Sequence, residues 1–389
     1  MDTKHTQRRY ELDWLRVLAF AAVFFYHCGR FFDHGDWHIK NSVTSPLVDT
    51  LKGIFDLWGM PFIFLISGAS IFFALRPGGA FDFLRRRVLR LLVPLVLGIL
   101  VLAPPQIYLE RVTHDQFQGS FLEYLPVYFR DWYLWNGEFD WTGVHLWYLA
   151  YLFLFTLVFL PLFAALKRPA GKRFTASLAR FSARPGAIFL WVLPVVLLLI
   201  LGDPFGIMRP APDEAIARLF MAPFVLIGFL LFAEPAVQQA IVRQRRIALL
   251  LLVALVLALP RISGILEADP SFTVYFLGIL LIGLFAWSCI LALLGYGTRY
   301  LARNHRVLAY ANEAVLPFYI LHQPLVLLLG YYIIPLPLSI LAKYLLIAPS
   351  ALLLTLGLYE FAVRRVNLLR YLFGLKPRKR PVTPVLRPA

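Results

Sequence analysis

The chain has 389 residues, of which 60% are hydrophobic and only 15% charged, with a formal net charge of +16. Soluble domains average about 25% charged residues, so this composition excludes a soluble globular protein and indicates an integral membrane protein. The basic balance does not indicate nucleic-acid binding, because the lysines and arginines lie in short segments between apolar stretches. The two cysteines, Cys28 and Cys289, both fall inside apolar segments and suggest neither a disulfide framework nor a metal site.

About ten membrane-spanning helices are predicted from the apolar segments, because helices satisfy their own backbone polar groups in lipid. They lie near residues 12–32, 48–75, 91–109, 145–166, 186–201, 217–234, 247–265, 273–295, 311–333 and 338–363. The basic segment before the first span leads into it without a small-residue cleavage site. This pattern indicates a retained span and not a cleaved signal peptide.

The loops on alternate sides of these spans differ strongly in charge. The N-terminus, the C-terminal tail and every second loop hold most of the 38 lysines and arginines. The positive-inside rule therefore places both termini in the cytoplasm. We predict an all-α, polytopic protein with one membrane domain over residues 1–375 and a basic, proline-rich cytoplasmic tail over residues 376–389.

The first predicted span carries an unusual stripe of ionisable side chains. From Arg16 to His27 is eleven residues, about three helical turns, so both project from nearly the same face, roughly 16 Å apart along the axis. Asp13 precedes Arg16 by three residues, and Arg30 and His34 continue the line after His27. Such groups are costly in lipid and usually mark function. The alternative is charged helix ends reaching the interface together with a buried, hydrogen-bonded histidine.

Small residues in the second span admit two interpretations. Ser67 and Gly68 let a neighbouring helix approach closely, which favours pure packing. Gly68 alternatively leaves space for a substrate.

A dense cationic cluster precedes the apolar part of the third span. Its members are Arg85, Arg86, Arg87 and Arg90. The cluster is either a strong orientation signal or a site for the phosphates of a nucleotide-bearing donor, because guanidinium groups bind phosphate in a bidentate way.

Later spans hold further polar candidates. His145 and Trp147 open the fourth span, where the alternative is a simple interfacial anchor. His322 lies in the ninth span two residues before Pro324, which favours a position facing a cavity or protein. The alternative is a histidine satisfied by packing, with no part in chemistry. Glu360 precedes Arg364 by four residues, so a structural ion pair is the simpler explanation.

In their order, these elements resemble those of the type 3 membrane acyltransferases. The matching stretches are the Arg16-x10-His27 stripe, the FxxSG-like element at 64–68, RRRVLRLLVP, HLWYL and FYILHQP. RYELDWLR, DWHIKN and YEFAVRRVNLLRYLFGLK look most like the branch that modifies periplasmic glucans, often with succinyl groups. We expect no appended periplasmic hydrolase-like domain, which many members of the family carry.

The resemblance implies an acyl-CoA-dependent O-acyltransferase of the bacterial inner membrane. The donor, acetyl-CoA or succinyl-CoA, would bind from the cytoplasm as a substrate and not as a permanent cofactor, and the acceptor would be a carbohydrate on the outer side. The family's paired arginine and histidine match Arg16 and His27, and its arginine-rich motif matches Arg87 and Arg90. No metal or nucleic acid is implied, and the oligomeric state is left open.

A mechanism follows as a hypothesis. His27 would be the general base, and Arg16, oriented by Asp13, would fix the donor. A covalent acyl-histidine on His27 is an alternative. The arginine cluster at 85–90 would hold the donor phosphates, and Arg30 would be a partner for a succinyl carboxylate. Candidates for substrate binding are Arg30, His34, Ser67, Gly68, His145, Trp147, His322 and Glu360.

A secondary transporter or exporter of an acidic or sugar-linked solute is the main rival. Polar residues in spans and proline-broken helices occur in transporters as well. The absence of paired half-repeats in the sequence and the density of the arginine cluster favour the acyltransferase.

Overall fold

In the computed structural model, residues 8–134, 137–202, 218–268 and 271–378 are described, and they form helices joined by loops and turns, with no strand among them. The helices, numbered here in chain order, are α1 Tyr10–Gly29, α2 Pro46–Ala74, α3 Ala80–Thr113, α4 Phe121–Arg130, α5 Val144–Leu166, α6 Pro169–Ser182, α7 Leu193–Gly202, α8 Ala222–Leu231, α9 Pro235–Ala268, α10 Phe272–Tyr300, α11 Arg306–Ile333, α12 Ile340–Val363 and α13 Asn367–Leu372. The predicted all-α fold is confirmed for this part of the chain.

Seven of the described helices are long and apolar enough to cross a membrane, namely α1, α2, α3, α5, α10, α11 and α12. Two shorter apolar helical segments lie where two more spans are predicted. They are Ala187–Ile200, which overlaps α7, and Ala222–Leu231, which is α8. The predicted span near 247–265 falls within α9, which has 34 residues. The count of ten spans and the cytoplasmic position of the termini stay predictions, and residues 379–389 of the predicted tail lie outside the described residues.

Helix α1 is packed on several sides by other helices. Leu12, Leu15, Ala19 and Val23 recur at helical spacing and are all buried. The helix lies against α2, α10, α11 and α12. The polar stripe of α1 therefore faces protein, which lowers the cost of ionisable groups at membrane depth.

Helices α2 and α8 cross in backbone contact. A Cβ atom at Gly68 would meet the carbonyl oxygen of Val225, and one at Gly228 would meet the carbonyl oxygen of Leu65. Small residues at such a crossing let two membrane helices approach closely. Gly68, a candidate for leaving substrate space, is thus placed against α8.

Gly68→Ala should destabilise the protein by about 1–3 kcal/mol, because the added methyl group overpacks a backbone contact that cannot relax by rotating a side chain. Gly53→Ala, on the same helix, is the control, since a Cβ atom there meets nothing within 4 Å. Thermal unfolding in detergent should show a lower midpoint for Gly68→Ala alone. Equal shifts in both variants would contradict the close crossing.

Candidate active site

A cavity of about 560 Å³ lies at the N-terminal end of α1; we call it the cationic cavity. Among the described residues that line it, Asp13 is the one acidic residue. The arginines that line it are Arg8, Arg9, Arg16, Arg86, Arg87 and Arg90. A site with this excess of guanidinium groups is suited to a polyanion such as a pyrophosphate.

Arg16 is held in the cationic cavity by three helices. Its guanidinium donates to Ser70 Oγ on α2 at 2.7 Å and to Asn312 Oδ1 on α11 at 3.2 Å. It also lies 3.4 Å from Oδ1 of Asp13, one turn earlier on α1. The predicted Asp13–Arg16 pair is present, and its neighbours fix the guanidinium in one orientation.

Helix α3 supplies three further arginines of the cationic cavity, Arg86, Arg87 and Arg90. A π-helical turn, Val88–Leu92, contains Arg90, and such turns are frequent at functional sites. The Arg87 guanidinium lies 5.0 Å from the centroid of the Phe83 ring. Neither Arg87 nor Arg90 forms an ion pair with a described residue, so their charges are available to an anionic ligand.

A second cavity, of about 640 Å³, lies at the C-terminal end of α1; we call it the histidine cavity. It combines imidazoles, carboxylates and aromatic rings. The described residues that line it include Tyr26, His27, Arg30, Asp36, Trp37, His38, Phe55, Asp56, Glu110, Arg111, His114, Asp140, His145, Trp147, Arg218, Tyr319 and Gln323. The stripe from Arg16 to His27 therefore connects the two cavities along one helix.

The hydrogen bonds around His27 determine which of its nitrogens carries the proton. Nδ1 of His322 lies 2.6 Å from the carbonyl oxygen of Tyr319, which only accepts, so this nitrogen is protonated. Nε2 of a neutral His322 is then an acceptor, and Nδ1 of His27, 2.8 Å away, donates to it. The lone pair of a neutral His27 is therefore on Nε2, as a general base requires.

His145 completes this cluster of imidazoles. Its Nε2 lies 3.2 Å from the carbonyl oxygens of Tyr319 and Ile320 and donates to them. Its Nδ1 is buried and has no hydrogen-bond partner among the described residues. Its ring is perpendicular to that of His322, with centroids 5.3 Å apart. His145 thus lines the histidine cavity, but its lone pair lies on the buried Nδ1 and is shielded by protein.

Three buried aromatic rings separate the two cavities. Phe20 and Tyr148 line the cationic cavity, and Tyr319 lines the histidine cavity. Their ring centroids are 5.1 to 5.8 Å apart. The hydroxyl of Tyr148 lies 2.7 Å from Oγ of Ser67, which donates to the carbonyl of Ile63. We call these three rings the aromatic partition. Ser67 anchors it from the side of the cationic cavity.

The stripe does not continue as predicted after His27, because α1 ends at Gly29. Arg30 lines the histidine cavity but is paired with the fully buried Asp33 at 2.7 Å. His34 lies in the following loop, where it contacts Asp49 and lies 2.6 Å from Thr44 Oγ1. The helical spacing that places Arg16 and His27 on one face does not extend to His34.

Of the remaining predicted site residues, one lines the histidine cavity and two lie outside both cavities. Trp147 lines the histidine cavity. Arg85 and Glu360 line neither cavity, and Glu360 accepts from Arg364 at 2.8 Å, as the structural interpretation predicts.

Two residues at the histidine cavity escaped the sequence reasoning. His38, in the loop after α1, contacts the carboxylate of Glu110 at the end of α3. The signals in the sequence are that His38 lies in the DWHIKN stretch of the family resemblance and that Glu110 directly follows the predicted span near 91–109. Within the described ranges, no group of three or more His, Cys, Asp or Glu side chains is arranged to hold a metal ion.

Comparison with known proteins identifies relatives of the chain. The chain is 25% identical to the glucans biosynthesis protein C of Salmonella typhi and to that of Salmonella typhimurium, over 97% of each chain. No solved structure matches the chain. Residues 9–360 match the model of a family described as an acyltransferase domain. The predicted resemblance is thereby confirmed, and the chain belongs to this family of membrane acyltransferases.

Proposed function

We propose that the protein is an acyl-CoA-dependent O-acyltransferase of the bacterial inner membrane. It would move an acetyl or succinyl group from cytoplasmic acyl-CoA to a hydroxyl of an extracytoplasmic carbohydrate such as a glucan. The observation that carries this proposal is the pair of cavities at the two ends of α1, one cationic and one bearing the lone pair of His27. The similarity to proteins named for glucan biosynthesis supports a glucan as the acceptor.

The cationic cavity is proposed to bind the phosphates of acyl-CoA. Arg87 and Arg90 have no acidic partner among the residues described, and an uncompensated cation in a partly dry site gains from an anionic ligand. Arg16 would bind the part of the donor that lies closer to the aromatic partition. Because clustered arginines favour the cytoplasmic side, this cavity would face the cytoplasm and the histidine cavity the opposite side.

The histidine cavity is proposed to hold the carbohydrate. Trp37 and Trp147 offer aromatic faces for the apolar side of a sugar ring. Asp56 and Asp140 offer carboxylate oxygens that accept hydrogen bonds from hydroxyl groups. A pocket that combines apolar walls with a few polar groups is typical of small-ligand sites.

His27 is proposed to act as the base in a balanced acyl transfer. Its Nε2 takes the proton of the acceptor hydroxyl while the hydroxyl oxygen attacks the thioester carbonyl carbon. The carbonyl electrons move onto oxygen, and the tetrahedral intermediate then breaks the carbon–sulfur bond. CoA leaves as the thiolate and takes up a proton, and His27 releases its own. The acyl end of the donor must pass the partition formed by Phe20, Tyr148 and Tyr319.

The proposal is tested with purified protein in lipid nanodiscs, supplied in parallel with acetyl-CoA or succinyl-CoA. The acceptor is the glycan fraction extracted from a strain that lacks the gene. We expect free CoA to appear together with glycan whose mass rises by one acyl group, with one donor preferred. Release of no CoA and no change in glycan mass with either donor would contradict the proposal and favour a transporter.

A further inference from the structure

The contact between Glu110 and His38 forms a carboxylate–histidine pair at the rim of the histidine cavity. The carboxylate of Glu110 contacts Nδ1 of His38, and because an ionised carboxylate only accepts, this nitrogen carries the proton. The lone pair of a neutral His38 is therefore on Nε2. The amide nitrogen of Gln323 lies 3.4 Å from Nε2, which is a long hydrogen bond.

The pair is held rigidly between two elements. The Arg111 guanidinium lies 3.3 Å from Oε1 of Glu110. The Thr113 hydroxyl lies 3.1 Å from the backbone carbonyl of His38, although its shortest contact, 2.8 Å, is to the carbonyl of Leu109. The side chain of His38 is only 15% exposed. The loop after α1 is thus fastened to the end of α3, and the imidazole has one orientation.

His38 and His27 share this cavity and are connected through one indole ring. The Trp37 ring lies parallel to that of His27, with centroids 6.3 Å apart, and 5.6 Å from the centroid of His38. Each imidazole donates through Nδ1 to a fixed acceptor, so each keeps its lone pair on Nε2. The cavity therefore has two imidazole lone pairs of fixed direction, of which that of His38 has only the long contact to Gln323, whereas the reaction uses one.

We propose that the Glu110–His38 pair positions the carbohydrate by accepting a hydrogen bond from a second hydroxyl of the molecule that His27 deprotonates. A carbohydrate presents several hydroxyl donors, and two acceptors of fixed direction admit only the orientations in which two of these hydroxyls face them. The pair would thereby determine which hydroxyl is acylated. This inference rests on the proposed function. His38 acts here as a positioning residue, and His27 remains the base.

The test compares His38→Ala, Glu110→Leu and Glu110→Gln in nanodiscs, with the preferred acyl-CoA and the glycan fraction of the deletion strain. Loss of one hydrogen bond of about 1.4 kcal/mol corresponds to a tenfold change in affinity. We expect the acceptor KM to rise about tenfold in His38→Ala and Glu110→Leu. The donor KM should not change, and nuclear magnetic resonance of the product should show acyl groups spread over more than one hydroxyl.

Glu110→Gln is the matched variant, because its carboxamide oxygen still accepts from Nδ1 of His38 and keeps the lone pair on Nε2. It should retain most of the acceptor affinity and the single position of acylation. An unchanged acceptor KM and position in His38→Ala would overturn the inference while leaving the proposed function intact. A wild-type protein that acylates no glycan would overturn the proposed function, and the inference with it.

Discussion

His27→Ala should lower the rate of acyl transfer by about 10²- to 10⁴-fold, which is the usual contribution of a positioned general base. The physical reason is the hydrogen-bond chain through His322 to the carbonyl of Tyr319, which leaves the lone pair of His27 on Nε2. Affinity for acyl-CoA should stay near the wild-type value, because His27 does not line the cationic cavity. Initial rates of CoA release with glycan present, and calorimetric titration with acetyl-CoA, measure the two quantities.

Phe25→Ala is the control for this experiment, since Phe25 lies on the exposed side of the same helix and lines neither cavity. It should keep its activity, and both variants should elute from size-exclusion chromatography like the wild type. His322→Ala should fall between the two, because it removes the acceptor for Nδ1 of His27 but not the base itself. Full transfer by a folded His27→Ala protein would refute the assignment of the base.

The stripe on α1 could be predicted because its two main members lie within one regular helix. Eleven residues from Arg16 to His27 fix their relative direction by helical periodicity alone, and the structure places them at two cavities on that helix. The same reasoning fails at His34, because α1 ends at Gly29 and no periodicity applies in the loop. Local spacing is informative only as far as the helix extends.

Helix α3 shows a related limit in predicting the bounds of a helix from hydropathy. Its apolar part near 91–109 is visible in the sequence, but the helix runs over Ala80–Thr113. The additional turns carry Arg87 and Arg90 at one end and Glu110 at the other, where they meet the two cavities. Polar residues that face a cavity interrupt the apolar pattern without ending the helix.

The pairings between distant residues could not be predicted. His27 and His322 are 295 positions apart, and His38 and Glu110 are 72 apart. No periodic relation connects such positions, so their contacts depend on how the helices pack. The sequence around His322 indicates a candidate site residue but does not predict its contact with His27. The shape of the site therefore depends on tertiary packing, whereas several of its members can be found by residue type.

Arg87→Ala combined with Arg90→Ala should weaken binding of acyl-CoA at least about 100-fold, because each hydrogen bond to a charged group contributes about 1.5–3 kcal/mol. Both guanidinium groups line the cationic cavity and have no ion-pair partner in the described ranges. The loss should be largest at low ionic strength, since salt screens the attraction in the wild type. Calorimetric titration with acetyl-CoA at two salt concentrations measures it.

The control is Arg173→Ala with Arg180→Ala, which also removes two charges. Both arginines are exposed on α6 and line neither cavity. If these two substitutions weaken binding as much as those of Arg87 and Arg90, the effect is due to net charge and not to a binding site. If neither pair matters, the arginines of α3 serve only to orient the protein in the membrane. A loss confined to Arg87 and Arg90 would locate donor binding at the cationic end of α1, across the aromatic partition from the proposed base.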